Sequence, residues 1–233
     1  MDENPIQKHG DILILAGDVV PFSQMHEHKD FFDDISDKFE HIYWLPGNHE
    51  YYYSDIADRN GSFKESIWKN ITLLNNSQVE LPHVSLIFST LWTKISDLKE
   101  DIIGNRLSDF FVINNGDHKL TVAEYNRMHD EGLQFLKNAI TYSQEKKTVV
   151  ITHHVPTFVN YPLRFADSPI NEAVAVELEE MISVYQPQYW LYGHSHVNTP
   201  AFIVGKTQLV TNQLGYIRYQ ENRNYLENAL ITI

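Results

Sequence analysis

Four short apolar runs constrain this chain most, because each stops at the same kind of polar cluster. Asp11–Ala16 (DILILA) runs into Gly17-Asp18, and His41–Leu45 (HIYWL) runs into Pro46-Gly47-Asn48-His49-Glu50. Thr148–Ile151 (TVVI) runs into Thr152-His153-His154, and Gln188–Tyr192 (QYWLY) runs into Gly193-His194-Ser195-His196. Compact apolar runs of this length are the pattern of strands buried on both faces. In α/β proteins the ligand crevice lies beyond the carboxyl ends of such strands. Strands that share a sheet therefore bring these loops together, and the loops deliver one Asp, one Asn and several His.

The intervening segments predict helices and further strands. Glu27–Phe39, charged with Phe31, Phe32 and Phe39, reads as a helix, and Ser62–Asn70 as a shorter one. Gln78–Leu81 and His83–Thr90 flank Pro82 as a hairpin. Thr121–Ser143 is the longest predicted helix, with Thr121 as its cap, Glu124 completing a capping box, and Leu133, Leu136 and Ile140 at helical spacing. Asn171–Tyr185 is amphipathic, with Val174, Leu178 and Met181-Ile182 on one side. Short strands are expected at Ala201–Val204, Gln208–Thr211 and Ala229–Ile233. No repeat, low-complexity tract or linker divides the 233 residues, so a single α/β domain over 1–233 is expected.

Charge and composition narrow the partners. Lys and Arg number 18 against 31 Asp and Glu, a net charge of −13. A chain this acidic lacks the electrostatic footprint for nucleic acid or an anionic membrane. Cysteine is absent, which excludes disulfides and thiolate metal sites and fits a reducing cytoplasm, the expected location. The polar start Met1-Asp2-Glu3-Asn4-Pro5 is not that of a signal peptide, and the apolar run Ile12 to Val20 is broken by Asp18. Twelve histidines are more than a soluble fold needs.

The donors at the strand ends carry a chemical meaning. Imidazole with carboxylate and amide oxygens, and no sulfur, suits Mn, Fe, Zn or Ni. A carboxylate has two oxygens and can bridge two cations. Glycine before Asp18, Asn48 and His194 permits sharp turns. His194 and His196, two residues apart, share a face in an extended segment. Singly, Gly-Asp reads as a turn and His-Ser-His as an even choice between a solvated loop and a ligand pair; four such pieces in order point to metal. His26 and His28 share the two-residue spacing but sit at a helix start, where exposure is expected, and His9, His41, His83, His118 and His129 are read as non-ligands. Tyr51-Tyr52-Tyr53 could wall a leaving group, but packing is the favoured reading.

Gly17-Asp18, Gly47-Asn48-His49-Glu50, His153 and Gly193-His194-Ser195-His196 together resemble the calcineurin-like metallophosphoesterase superfamily, in its small bacterial phosphohydrolase form. Thr90-Leu91-Trp92-Thr93, Ser108-Asp109-Phe110 and Asn212-Gln213-Leu214-Gly215-Tyr216 have the same flavour. The resemblance implies a two-sheet β-sandwich flanked by helices, with a dinuclear metal centre at one end. It implies Asp18 as bridging carboxylate, Asn48, His153 and His194 as the other ligands of one metal, and His196 as a ligand of the second. His49 is implied as the histidine that meets the phosphate or leaving oxygen, with Glu50 orienting it. Two cations can clamp the phosphoryl oxygens of a phosphomonoester or phosphodiester and activate water. Arg106 and Arg164 are candidate phosphate contacts through their planar donors, and His154 a candidate for lining the pocket.

The family's first motif, Asp-x-His, has no counterpart in the ten residues before Asp11. The expectation is therefore a fold missing its first strand, with one firm metal site and a second that is doubtful. A free edge at Asp11–Ala16 is expected to pair with another copy of the chain. Two functions compete: a metal-dependent phosphoesterase, and a weak or inactive metal-binding or interaction domain with an incomplete dinuclear centre. His49 favours the first, and the missing motif favours the second.

Overall fold

The structure, a computed structural model, describes residues 6–143 and 145–233. In chain order its elements begin with β1 (Ile12–Leu15), α1 (Lys29–Lys38), β2 (His41–Trp44), β3 (Phe63–Ser66) and β4 (Ile71–Asn75). There follow β5 (Ser77–Glu80), β6 (Val84–Ser89), α2 (Glu100–Gly104), α3 (Asp109–Val112), β7 (Asn114–Asn115), β8 (His118–Lys119) and α4 (Val122–Tyr142). The last are β9 (Lys147–Thr152), α5 (Glu179–Tyr185), β10 (Tyr189–Leu191), β11 (Phe202–Val204) and β12 (Thr207–Val210).

The four apolar runs form β1, β2, β9 and β10, in two sheets rather than one. A four-stranded sheet has the order β1-β2-β4-β3, and a six-stranded sheet the order β11-β12-β10-β9-β6-β5. β1 pairs with β2, and β9 with β10, both in parallel. The sheets face each other across a core of Tyr43, Leu45 and Leu74 against Leu86, Phe88, Val149 and Ile151. The alternate residues point outward and are covered by helices. Ile42, Trp44 and Leu73 meet Phe32 and Ile35 of α1, while Ile87, Val150 and Trp190 meet Leu136, Ile140 and Ile182 of α4 and α5. Both faces of each central strand are thus buried, which is why the strands read as unbroken apolar runs. Each fully buried large side chain contributes roughly 1.5–3 kcal/mol.

Several segments differ from the sequence expectation. Residues 62–70 form β3 and a turn, not a helix: β3 pairs antiparallel with β4, and its exposure alternates with period two. Phe63 and Ile67 pack on the α1 side of the core in this form. Within 171–185 only α5 is α-helical. Val155 N–H donates to the Val174 carbonyl and Val176 N–H to that of Val155, so the middle of this segment lies along the loop after β9 instead of coiling. Ala229–Ile233 forms no strand; Leu230 lies over Gly10, and Ile231 packs onto the core between the sheets. Among the described residues β1 is an edge strand, bonded to β2. No helix of the described residues is long and apolar enough to cross a membrane.

The long helix starts where its sequence directs. Thr121 Oγ1 accepts from Glu124 N–H at 3.3 Å, and the Glu124 carboxylate accepts from Thr121 N–H at 3.0 Å. Two orphan amides of the first turn are thereby satisfied. Thr121→Ala should lower unfolding stability by ~1 kcal/mol. Urea denaturation reads this directly, and an unchanged midpoint would show that the cap contributes nothing.

Candidate metal centre

The carboxyl ends of the parallel pairs β1–β2 and β9–β10 open to the same end of the sandwich, and their loops touch. A Cβ at Gly17 would collide with His153 and fall 2.6 Å from the Gly47 nitrogen, and one at Gly47 would collide with Asp18 and His153. Gly17 also has a φ of 94°, whereas Gly47 is required for space alone. Closeness of backbones, more than turn geometry, is what these glycines permit.

Among the described residues, Asp18, His153 and His194 form a group whose donor atoms lie within 4.8 Å of one another. His153 Nε2 stands 3.4 Å from Asp18 Oδ1, 3.2 Å from Asn48 Oδ1 and 3.0 Å from His194 Nδ1. His153 Nδ1 is 2.8 Å from the Ala16 carbonyl. A carbonyl only accepts, so Nδ1 carries the hydrogen, and in the neutral ring the Nε2 lone pair faces the cluster. The Asn48 amide is fixed in the same way. Its nitrogen donates to Asp109 at 2.9 Å, which turns its oxygen inward. Tyr52 donates its hydroxyl to the same Asp109 oxygen at 2.8 Å.

Asp18 shows what is missing from this arrangement. Its Oδ1 accepts from His49 N–H at 3.0 Å, but Oδ2 is buried without a hydrogen-bond partner among the described residues. Leaving a buried acceptor unpaired costs about 1–3 kcal/mol, more when it is charged. A hydrogen bond between the two imidazoles cannot satisfy it. A cation among these oxygen and nitrogen donors satisfies them together, so the residues fit a metal ion.

The electrostatics agree. Burial opposes ionisation of Asp18, but the charge and hydrogen bond of His153, with His49 and His194, hold the carboxyl well below its usual range. Burial also pulls His153 down, but Asp18 outweighs it and the ring ends above its usual value. Burial keeps His194 well below the usual imidazole value, reinforced by His154 and His153. Asp109 is shifted upward by its burial.

The remaining expected residues take different places. His194 and His196 are not on one face of an extended segment, since both have left-handed backbones, with φ of 67° and 51°. His194 joins the cluster, while His196 has its Nδ1 3.0 Å from Glu221 Oε2 and its ring edge-on to Tyr216. His49 projects from a 3-10 turn (His49–Tyr51) and stacks on Tyr52 with centroids 4.3 Å apart. Tyr51 is core, and Tyr53 is exposed.

Glu50 does not orient His49. Its carboxylate is fully buried and accepts four N–H groups: Asp18 and Gly47 on one oxygen, Val19 and Trp44 Nε1 on the other, at 2.6–3.2 Å. Its burial and the neighbouring Asp18 charge push its pKa up against the pull of the backbone N–H groups. It fastens the β1 loop to the β2 loop, and it cannot reach the imidazole while so engaged.

His154 is likewise unavailable to a substrate. It is fully buried, with Nδ1 3.1 Å from the Thr90 carbonyl and Nε2 3.3 Å from the Tyr125 hydroxyl. Burial, with the charge of His153, lowers its pKa to about 3, and its ring supports that of His194 at 4.3 Å. Arg106 is exposed in the turn between α2 and α3. Arg164 is exposed with its guanidinium over Phe165. His26 and His28 are exposed in the 3-10 turn before α1. Asp109, Tyr52, Tyr216 and Glu221 carry roles at this site that the sequence left unassigned. The stretches around Asp109 and Tyr216 stood out only by resemblance, and no local pattern marks a residue that acts by holding another.

Residues 1–198 match the calcineurin-like phosphoesterase family, and the chain belongs to it. An uncharacterized protein of Acanthamoeba polyphaga mimivirus is 36% identical, with 91% of this chain and 81% of that protein covered. Among solved structures, the phosphopantetheinyl hydrolase of Mycobacterium tuberculosis shares the fold with a TM-score of 0.65 at 15% identity, covering 93% of this chain and 83% of that one. Membership of the family implies divalent metal ions, for which the donor group described above provides a place.

Glu50 gives this geometry its sharpest test. Glu50→Ala strands four N–H donors in a buried site and should cost ~3 kcal/mol or more of stability. Denaturant unfolding measures this. A loss below ~1 kcal/mol would mean that the two loops hold each other without the carboxylate.

Proposed function

We propose that this chain is a metal-dependent hydrolase of a phosphomonoester or phosphodiester, with water as the nucleophile. The observation that carries the reading is the unpaired buried oxygen of Asp18 among inward-facing donors, with His49 beside it. Asp18, Asn48, His153 and His194 would hold one ion firmly, drawn from Mn, Fe, Zn or Ni by the chemistry of the donors. A second ion would have Asp18, shared with the first, and His196, whose Nδ1 rests on Glu221, and would be held weakly for want of further donors. Bound metal supplies Lewis-acid polarisation of the phosphoryl oxygens and a more acidic water.

The chain's own residues do the rest. Ala16 and Asp109 set the presenting faces of His153 and Asn48. Glu50 keeps the Asp18 loop in register with the His49 turn. His49, anchored to Asp18 through its backbone and to Tyr52 through its ring, carries the proton that the leaving oxygen needs. The bond from phosphorus to that oxygen breaks as the bond from phosphorus to the water oxygen forms. The leaving group departs as an alcohol, and the proton lost by water passes to solvent.

The small donor set for a second ion, Asp18 and His196, favours a second reading, a metal-binding domain that retains the fold without turnover. Hydrolysis of an aryl phosphodiester with and without added manganese separates the two. His49→Ala should leave metal content unchanged and lower turnover by about 10²–10⁴. Equal loss of metal and activity would make His49 a ligand and not an acid.

A further inference from the structure

With Glu50 committed to the loops, something else must set the direction of the His49 ring. Among the described residues, its ring stacks on the face of Tyr52 and meets the hydroxyl of Tyr216, the latter 3.5 Å from Nδ1. Stacking fixes the plane of an imidazole but not which nitrogen points forward. A hydroxyl at one nitrogen does fix that. With Nδ1 against Tyr216, Nε2 is the nitrogen left to face a substrate.

Tyr216 is itself held in place. Its backbone N–H donates to Glu221 Oε2 at 2.7 Å, the oxygen that also bonds His196 Nδ1 at 3.0 Å. Its ring meets that of His196 edge-on at 4.7 Å, and the Arg218 guanidinium lies over the Tyr216 ring, 5.5 Å from its centroid. Gly215 before it has a φ of 61°, and a Cβ there would fall 2.6 Å from Glu221 Cβ. These residues lie beyond residues 1–198, the segment that matches the family.

We propose that Tyr216 is the positioning residue of His49, its hydroxyl orienting the imidazole so that Nε2–H is delivered to the leaving oxygen. This rests on the phosphoesterase reading above. When His49 carries its proton, Nδ1–H donates to the Tyr216 oxygen and Nε2–H remains for transfer. The contact is at the long end for a hydrogen bond, as catalytic contacts often are before substrate binds. An oriented acid matters most when the leaving group is a poorly acidic alcohol or phenol, and least when it departs readily as an anion. The site is therefore matched to esters whose leaving groups need a proton.

Tyr216→Phe keeps the ring and its packing on His196 and removes only the hydroxyl. The test compares wild type, Tyr216→Phe and His49→Ala on p-nitrophenyl and unsubstituted phenyl phosphate esters. Tyr216→Phe should lower kcat about 5- to 10-fold on the phenyl ester, with little change on the p-nitrophenyl ester, in KM or in metal content. Equal losses on both esters would make Tyr216 merely structural, and no loss on either would overturn the proposal. If the wild-type chain hydrolyses neither ester with manganese added, it is the phosphoesterase reading that fails; if His49→Ala leaves both rates intact, His49 is not the acid and the proposal falls. A readout independent of turnover is the ¹⁵N resonance of His49 Nδ1, assigned by its loss in His49→Ala. It should move in Tyr216→Phe, and an unmoved resonance would also overturn the proposal.

Discussion

A buried carboxylate with four N–H donors is the interaction on which this site depends. Glu50 draws in the amides of Asp18, Val19 and Gly47 and the indole of Trp44, and so joins the loops beyond β1 and β2. Breaking such a network strands several polar groups at once, which is far costlier than losing one surface contact. Gly17 and Gly47 allow the loops to approach, and Glu50 keeps them there. Only then does Asp18, with its φ of 58°, face His153 across the gap between the sheets. The geometry of the donor cluster follows from a residue that is not itself one of the donors.

The surrounding layer works by the same logic. The Ala16 carbonyl selects the tautomer of His153, Asp109 selects the face of the Asn48 amide, and His154 backs the ring of His194. Such partners fix ligand orientation and basicity. His196 has a carboxylate partner too, Glu221 from the last segment of the chain, at its Nδ1. That segment also brings Tyr216 to His49. The site is thus built by strand ends on one side and by an irregular segment on the other.

The central strands were legible because alternate residues of each face two different apolar layers. Tyr43 looks to the other sheet and Trp44 to α1, so the run carries no polar residue to disguise it. The α4 start was legible because Thr121 and Glu124 act within one turn. β3 was not, since its alternation of Phe63 and Glu65 shows only once β4 is present as a partner. The 171–185 segment carries helical spacing at Val174, Leu178 and Ile182, but Val155 draws its middle into an extended bridge. At the site, the residue types at the strand ends were legible and their directions were not. Glu50 follows His49 in sequence yet faces the β1 loop, and His196 shares a motif with His194 yet turns to Glu221. Direction there is set by backbone conformation and by partners 25 or more residues away.

The account stands or falls on whether the strand ends make one ion site. Metal analysis of the purified chain against Asp18→Ala and His153→Ala tests this directly. About one firmly held divalent transition metal ion per chain is expected, and its loss in both variants, as removal of a buried anionic or imidazole ligand requires. A chain that binds no such ion, or variants that keep the full equivalent, would contradict the assignment of the cluster as a metal centre.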